Sequence, residues 1–127
     1  MVKLTVNNVE FPLAFTLDAM DAMEDATGQT LSEQRFSIGT KADRANVLKI
    51  LHILAREGAR LSGAPLADTY GAEWFRTYMK PGKLVEAVNA ITDAIGEGMR
   101  METEEPEEDA EVDLVLEEIK KNGAADG

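Results

Sequence analysis

Few residues in this chain are able to do chemistry, and their spacing limits what that chemistry is. His52 is the only histidine, and there is no cysteine. A lone imidazole titrates near neutrality. No serine or cysteine nucleophile motif accompanies it, so His52 reads as a member of a helix surface stripe. Without cysteine there is no disulfide framework, thiolate cluster or thiol nucleophile. One histidine leaves no multi-histidine metal site. Gly82-Lys83 has the ending of a phosphate-binding loop, in which backbone amides and a lysine cradle the phosphates. That motif needs glycine where this chain has Thr77, and serine or threonine where it has Leu84. Gly96-Glu97-Gly98 closes a helical pattern instead of following a strand, which excludes a dinucleotide-binding turn. Asp18, Asp21, Glu24 and Asp25 cluster, but they lack the ordered spacing and turn glycine of a calcium loop. They read as the solvated face of a helix. No catalytic, cofactor-binding or metal residue is expected, and the chain is expected not to be an enzyme.

These residues sit on 127 residues that are 44% apolar and 29% charged, enough for one folded domain with one core. The net charge of −11 is unevenly spread. Residues 1–101 hold 13 acidic and 11 basic side chains, net −2, whereas residues 102–127 hold 11 acidic and 2 basic, net −9. A net negative chain without a basic block excludes a phosphate-driven nucleic-acid binder and an anionic-membrane binder. No apolar run approaches the ~18 residues of a membrane span. Residues 1–15 alternate instead of forming an apolar run behind basic residues, so no secretory signal is expected. The expectation is a soluble intracellular protein.

The elements follow from periodicity. Val2, Leu4 and Val6, then Val9, Phe11 and Leu13, alternate about Asn7-Asn8, which predicts a β-hairpin over residues 2–15. Pro12 cannot donate a ladder hydrogen bond and marks an edge or an interruption. Thr16 reads as the N-cap of a helix ending near Thr27, with Gly28 as the left-handed residue beyond it. Thr30-Leu31-Ser32-Glu33 is a capping box that predicts a second short helix. Thr40 caps the strongest helix, ending near Gly58, apolar around most of its circumference and hence central. Lys49, His52 and Arg56 fill its remaining stripe. A helix over 67–79 carries Tyr70, Trp74, Phe75 and Tyr78, an aromatic cluster that reads as core. Pro81 suits the first turn of a last helix, in which Leu84, Val88, Ile91, Ile95 and Met99 share the apolar face.

Residues 101–111 read as an acidic linker whose mutual repulsion and lack of apolar residues favour disorder. Residues 112–127 regain a short amphipathic helix and tail, with Val112, Val115, Leu116 and Ile119 within an arc of about 100°. The fold class is therefore α+β, mainly α: a hairpin and about four to five helices over residues 1–100, then linker and terminal helix. The hairpin's apolar residues need covering by helices or by a second copy, which predicts self-association. Candidate protein-binding residues are Val112, Val115, Leu116 and Ile119, together with Met20 and Met23. Methionines adapt to varied partners, although packing is the plainer role for these two.

The order of these features resembles the small tail assembly chaperones of long-tailed bacteriophages and prophages. The resemblance lies in Phe11-Pro12-Leu13-Ala14-Phe15-Thr16, leading into a helix that ends Glu24-Asp25-Ala26-Thr27-Gly28. It continues through the apolar helix at 41–57, the aromatic-containing helix, the amphipathic helix at 82–99, and the acidic linker with its terminal helix. It implies a non-enzymatic, mostly helical, self-associating protein of the host cytoplasm, absent from the finished virion. It also implies the partner: the tape measure protein, a very long helical chain that is aggregation-prone until the tail tube forms around it. No cofactor is implied. The alternative is a small α-helical adaptor or antitoxin-like regulatory module that binds one protein partner.

Overall fold

Asn7 and Asn8 both take positive φ, 51° and 67°, and reverse the chain in a computed structural model that describes residues 1–100. Asparagine tolerates this left-handed conformation better than most residues. The turn joins β1 (Val2–Val6) to β2 (Val9–Leu13) as an antiparallel hairpin, with Val2 opposite Leu13 and Val6 opposite Val9. Alternation sends Leu4, Val6, Phe11 and Leu13 inward, where all are buried. Pro12 stands opposite Lys3. The sheet has only these two strands, so the missing N–H leaves no second ladder short of a donor.

The chain leaves β2 pinned to a helix. The Ala14 N–H donates to the carbonyl of Leu54 (3.1 Å). Thr16 then caps α1 (Leu17–Thr27), its hydroxyl accepting from the Ala19 N–H (3.2 Å). Gly28, at φ 73°, ends α1 by donating to the Glu24 carbonyl (2.8 Å). Both ends are where the sequence places them. The capping box at Thr30 yields only a single 3-10 turn, Leu31–Glu33, with the Glu33 carboxylate accepting from the Thr30 N–H (2.8 Å). Propagation stops because Gln34 turns extended and its side-chain amide reaches back to the Thr27 hydroxyl (2.6 Å) and the Gln29 carbonyl (3.1 Å).

Thr40 caps α2 (Lys41–Leu61) through the Asp43 N–H (3.0 Å). This is the central helix, with Val47, Ile50, Leu51, Leu54 and Ala55 fully buried. It runs past Gly58, and Gly63, at φ 91°, is the turn glycine. Gly58 has a packing role: a Cβ there would lie 2.0 Å from the Pro12 carbonyl oxygen. Its missing side chain lets β2 lie against the helix.

The aromatic helix α3 (Ala72–Tyr78) is shorter than the expected 67–79. Gly71 is extended, and the Tyr70 carbonyl is engaged by the His52 ring (3.0 Å). Lys80 is extended, as residues before proline tend to be, and a 3-10 turn, Pro81–Lys83, leads into α4 (Leu84–Met99). The buried face of α4 is broader than the expected one and excludes only Met99 of it. Ala87, Ala90, Ile91 and Ala94 are buried, Leu84, Val88 and Ile95 are half-buried, and Met99 is exposed. Small residues allow α4 to approach the hairpin and α2 closely, so Ala87, Ala90 and Ala94 join Ile91 in the core, with Leu84, Val88 and Ile95 packed at its edge. At the far end, Gly98 repeats the device of Gly58: a Cβ there would lie 2.3 Å from the Phe15 carbonyl oxygen.

The observed fold is thus α+β and mainly α, a hairpin followed by four α-helices on one core. That core covers the hairpin's inner face, so the hairpin needs no second copy for burial. Among the described residues no helix is long and apolar enough to cross a membrane. The expected linker at 101–111 and the helix at 112–121 lie outside the described residues.

Candidate functional site

His52 projects from the solvent-side stripe of α2 and is half-buried. Its Nδ1 lies 3.0 Å from the Tyr70 carbonyl. Burial pushes its pKa below the usual imidazole value, the Tyr70 contact opposes that, and Arg56 adds to it. The ring therefore ties α2 to the entrance of α3, as a boundary histidine does. A shallow depression of about 380 Å³ beside it is lined by Lys49, Arg56, Asp25 and Ala72. No hydroxyl or thiol nucleophile is among its lining residues.

The other chemistry-bearing candidates stand apart. Lys83 lies in the 3-10 turn before α4 and pairs with Glu86 (3.1 Å). Asp18, Asp21, Glu24 and Asp25 are exposed along α1. Among the described residues no group of three or more His, Cys, Asp or Glu side chains converges as a metal site.

The most perturbed acid was not legible as such in the sequence. Glu57, on α2, is the one buried charged residue among those described. Its carboxylate accepts two hydrogen bonds from Arg60, at 2.9 Å from Nε and 2.6 Å from Nη2. It also accepts one from the Thr16 hydroxyl. The Arg60 hydrogen bonds are the main cause of a pKa lowered to about 2, against the opposing effect of burial. Thr16 is at once the cap of α1 and a donor to α2, so Glu57 locks the two helices together. The role is structural. A glutamate between Arg56 and Gly58 carries no pattern that reveals a partner 41 residues away.

Phe11, on β2, is the hub of an aromatic cluster. Its ring centroid lies 5.3 Å from Tyr70, 5.6 Å from Trp74 and 4.9 Å from Phe75. Phe75 is fully buried, and Tyr78 at the cluster's rim is 48% exposed. The cluster is core at its centre and surface at its edge.

Of the protein-binding candidates, Met23 is buried in the core and Met20 is half-buried against it. Met23 is therefore a packing residue. Val112, Val115, Leu116 and Ile119 lie outside the described residues. Exposed apolar side chains occur elsewhere, at Leu17, Leu61, Tyr78, Val85 and Met99. Beside β2, an apolar groove of about 310 Å³ runs between Val9 and Pro12 on one wall and Pro65, Leu66 and Tyr70 on the other. A wider depression of about 500 Å³ lies between the hairpin turn and the segment from Tyr78 to Lys83. The surface thus offers apolar contact area on several sides.

Comparison of the chain with family models, with curated proteins and with solved structures finds no match.

Proposed function

We propose that this chain is a non-enzymatic tail assembly chaperone that binds the tape measure protein of a long-tailed phage and keeps it soluble during tail assembly. The observation that carries this reading is the distribution of exposed apolar groups. Leu17 on α1, Tyr78 on α3, and Val85 and Met99 on α4 remain at the surface of a domain whose core is already closed. Contact area on several sides suits a small protein that coats a long helical partner in many copies. A single-site adaptor would need one such face. The acidic chain, net −11, would keep the coated assembly apart and in solution by like-charge repulsion. The residues of the family resemblance also hold structural posts: Pro12 to Thr16 is the segment anchored by α2, α4 and Glu57.

Co-expression with a tape measure protein tests this. The chaperone reading expects the long partner to move from the insoluble to the soluble fraction, with many copies of this chain bound. An adaptor or antitoxin-like module would bind a partner at a fixed small ratio and leave the tape measure protein insoluble.

A further inference from the structure

We infer that the apolar groove beside β2 is the docking site of the chain's own residues 112–121, which lie in it as an amphipathic helix and cover it in the free protein. The inference stands whether or not the partner is a tape measure protein. Val9 and Pro12 form one wall of the groove and Pro65, Leu66 and Tyr70 the other, around a volume of about 310 Å³. Among the described residues that line it, Glu10 alone is charged. Two exposed apolar side chains extend this surface at Ser62. Leu61, 50% exposed, precedes Ser62 in the chain, and the sulfur of Met1, 54% exposed, lies 3.9 Å from the Ser62 hydroxyl. Single apolar residues at a surface are ordinary, but a groove continuous with two more is a contact surface.

The described residues end beside this groove. The Met1 amino nitrogen is 4.0 Å from the carboxylate of Glu97, in the last turn of α4. The other end of Met1 touches Ser62, which lines the groove. The groove is thus two contacts from the point where the chain leaves α4. Residues 101–111 then span up to about 36 Å when extended, ample for that gap. A tether this short holds the segment after it at an effective concentration on the order of millimolar, so even weak docking fills the groove.

The segment matches the groove in length, polarity and charge. Val112, Val115, Leu116 and Ile119 share one arc of a helix, and Asp113, Glu117 and Glu118 fall outside it, on the side left to water. From Val112 to Ile119 a helix rises about 11 Å. From Val9 to Pro12 a strand advances about 10 Å. Lys120 and Lys121 follow directly, so a segment that enters beside Ser62 and runs toward Val9 brings them to Glu10. Glu10 is held only loosely by Lys3, at 4.0 Å, with both side chains more than half exposed. The same carboxylate repels the linker, whose residues 102–111 carry seven carboxylates. Charge therefore selects both the segment that docks and its direction.

The absence of cysteine lets a single label report on the groove. In the full-length chain, a nitroxide on Asp68→Cys, an exposed position next to the groove wall, should broaden the amide NMR signals of residues 112–121. A mixture of isotope-labelled chains without nitroxide and nitroxide-bearing chains without isotope should leave those signals sharp, because docking is within one molecule. Val115→Asp combined with Leu116→Asp should remove the broadening and leave the signals of the domain core unchanged. Glu10→Lys should weaken the broadening, and Lys120→Glu with Lys121→Glu on that background should restore it. Sharp signals for residues 112–121 in the nitroxide-bearing chain would overturn the inference. Broadening in the mixture would give the groove to a second copy and overturn docking in cis. Broadening that survives the double aspartate variant would reflect the tether alone and would equally overturn it. An unchanged pattern in Glu10→Lys would overturn the direction of docking.

Discussion

Gly58 on α2 and Pro12 on β2 are in backbone contact so close that a methyl group at Gly58 would fall 2.0 Å from the Pro12 carbonyl oxygen. Gly98 on α4 stands in the same relation to Phe15. The segment from Pro12 to Phe15 is thus held between two helices by two missing side chains. Gly58→Ala and Gly98→Ala should each destabilise the fold, by about 2–4 kcal/mol where backbone must shift. Gly96, in the same helix as Gly98 with nothing near its Cβ position, is the control. Gly96→Ala should be neutral or stabilising by up to about 1 kcal/mol. Urea denaturation of the three variants checks this ordering.

Glu57 should give the fold an acid-sensitive lock. Its pKa is held at about 2 in the folded chain against an ordinary value of 4.5. The folded state therefore binds fewer protons than the unfolded one between these values. The stabilisation is complete above about pH 4.5 and is lost as pH falls toward about 2. The Arg60 side chain is 56% exposed, so solvent screens the pair. Glu57→Gln should cost about 1–2 kcal/mol at pH 7 and flatten this part of the stability profile. Thermal melts from pH 7 to pH 2.5 on both proteins measure it.

His52 contributes in the same direction at higher pH. Burial lowers its pKa below 6.5, so charging the ring opposes the folded state and stability declines as pH falls below that value. His52→Gln should remove this component without altering the Glu57 step. Titration of the ring by proton NMR should return a midpoint below that of a free histidine. A midpoint above 6.5 would contradict the placement of the ring.

Phe11 should be the costliest single truncation in the hairpin. It is 1% exposed and contacts three aromatic rings. Phe11→Ala should destabilise by about 3–5 kcal/mol. It should also shift Trp74 fluorescence to longer wavelength, because the only tryptophan packs against that ring. Val9→Ala, at a half-buried position of the same strand, should cost far less.

Much of the fold was legible because its signals are local. Asn7-Asn8 between alternating apolar residues specifies a hairpin within a few residues, and Thr16, Gly28 and Thr40 each mark a helix end by their own side chain or by its absence. The misjudged features depend on partners distant in sequence. Gly58 reads as a terminator in one dimension, and only Pro12 reveals it as a contact. Glu57 belongs to no local pattern, and its role emerges only when Thr16 and Arg60 are brought to it. In α4 the expected face, Leu84, Val88, Ile91, Ile95 and Met99, packs on the core except at Met99, and close approach to the hairpin adds Ala87, Ala90 and Ala94 to it. Of the candidate site, the stripe holding His52 followed from helical spacing, whereas Met23, a protein-binding candidate, is buried in the core. The exposure of Val85 and Met99 did not follow from that spacing.

The most direct measurement of the central claim is the mass of the complex formed with the tape measure protein. Both chains would be co-expressed, the complex isolated through a tag on the long partner, and its mass determined by light scattering and native mass spectrometry. Coating predicts a soluble complex with many copies of this chain per partner, the number rising with the length of the tape measure segment supplied. One or two copies bound regardless of that length, or a tape measure protein that stays insoluble, would contradict it.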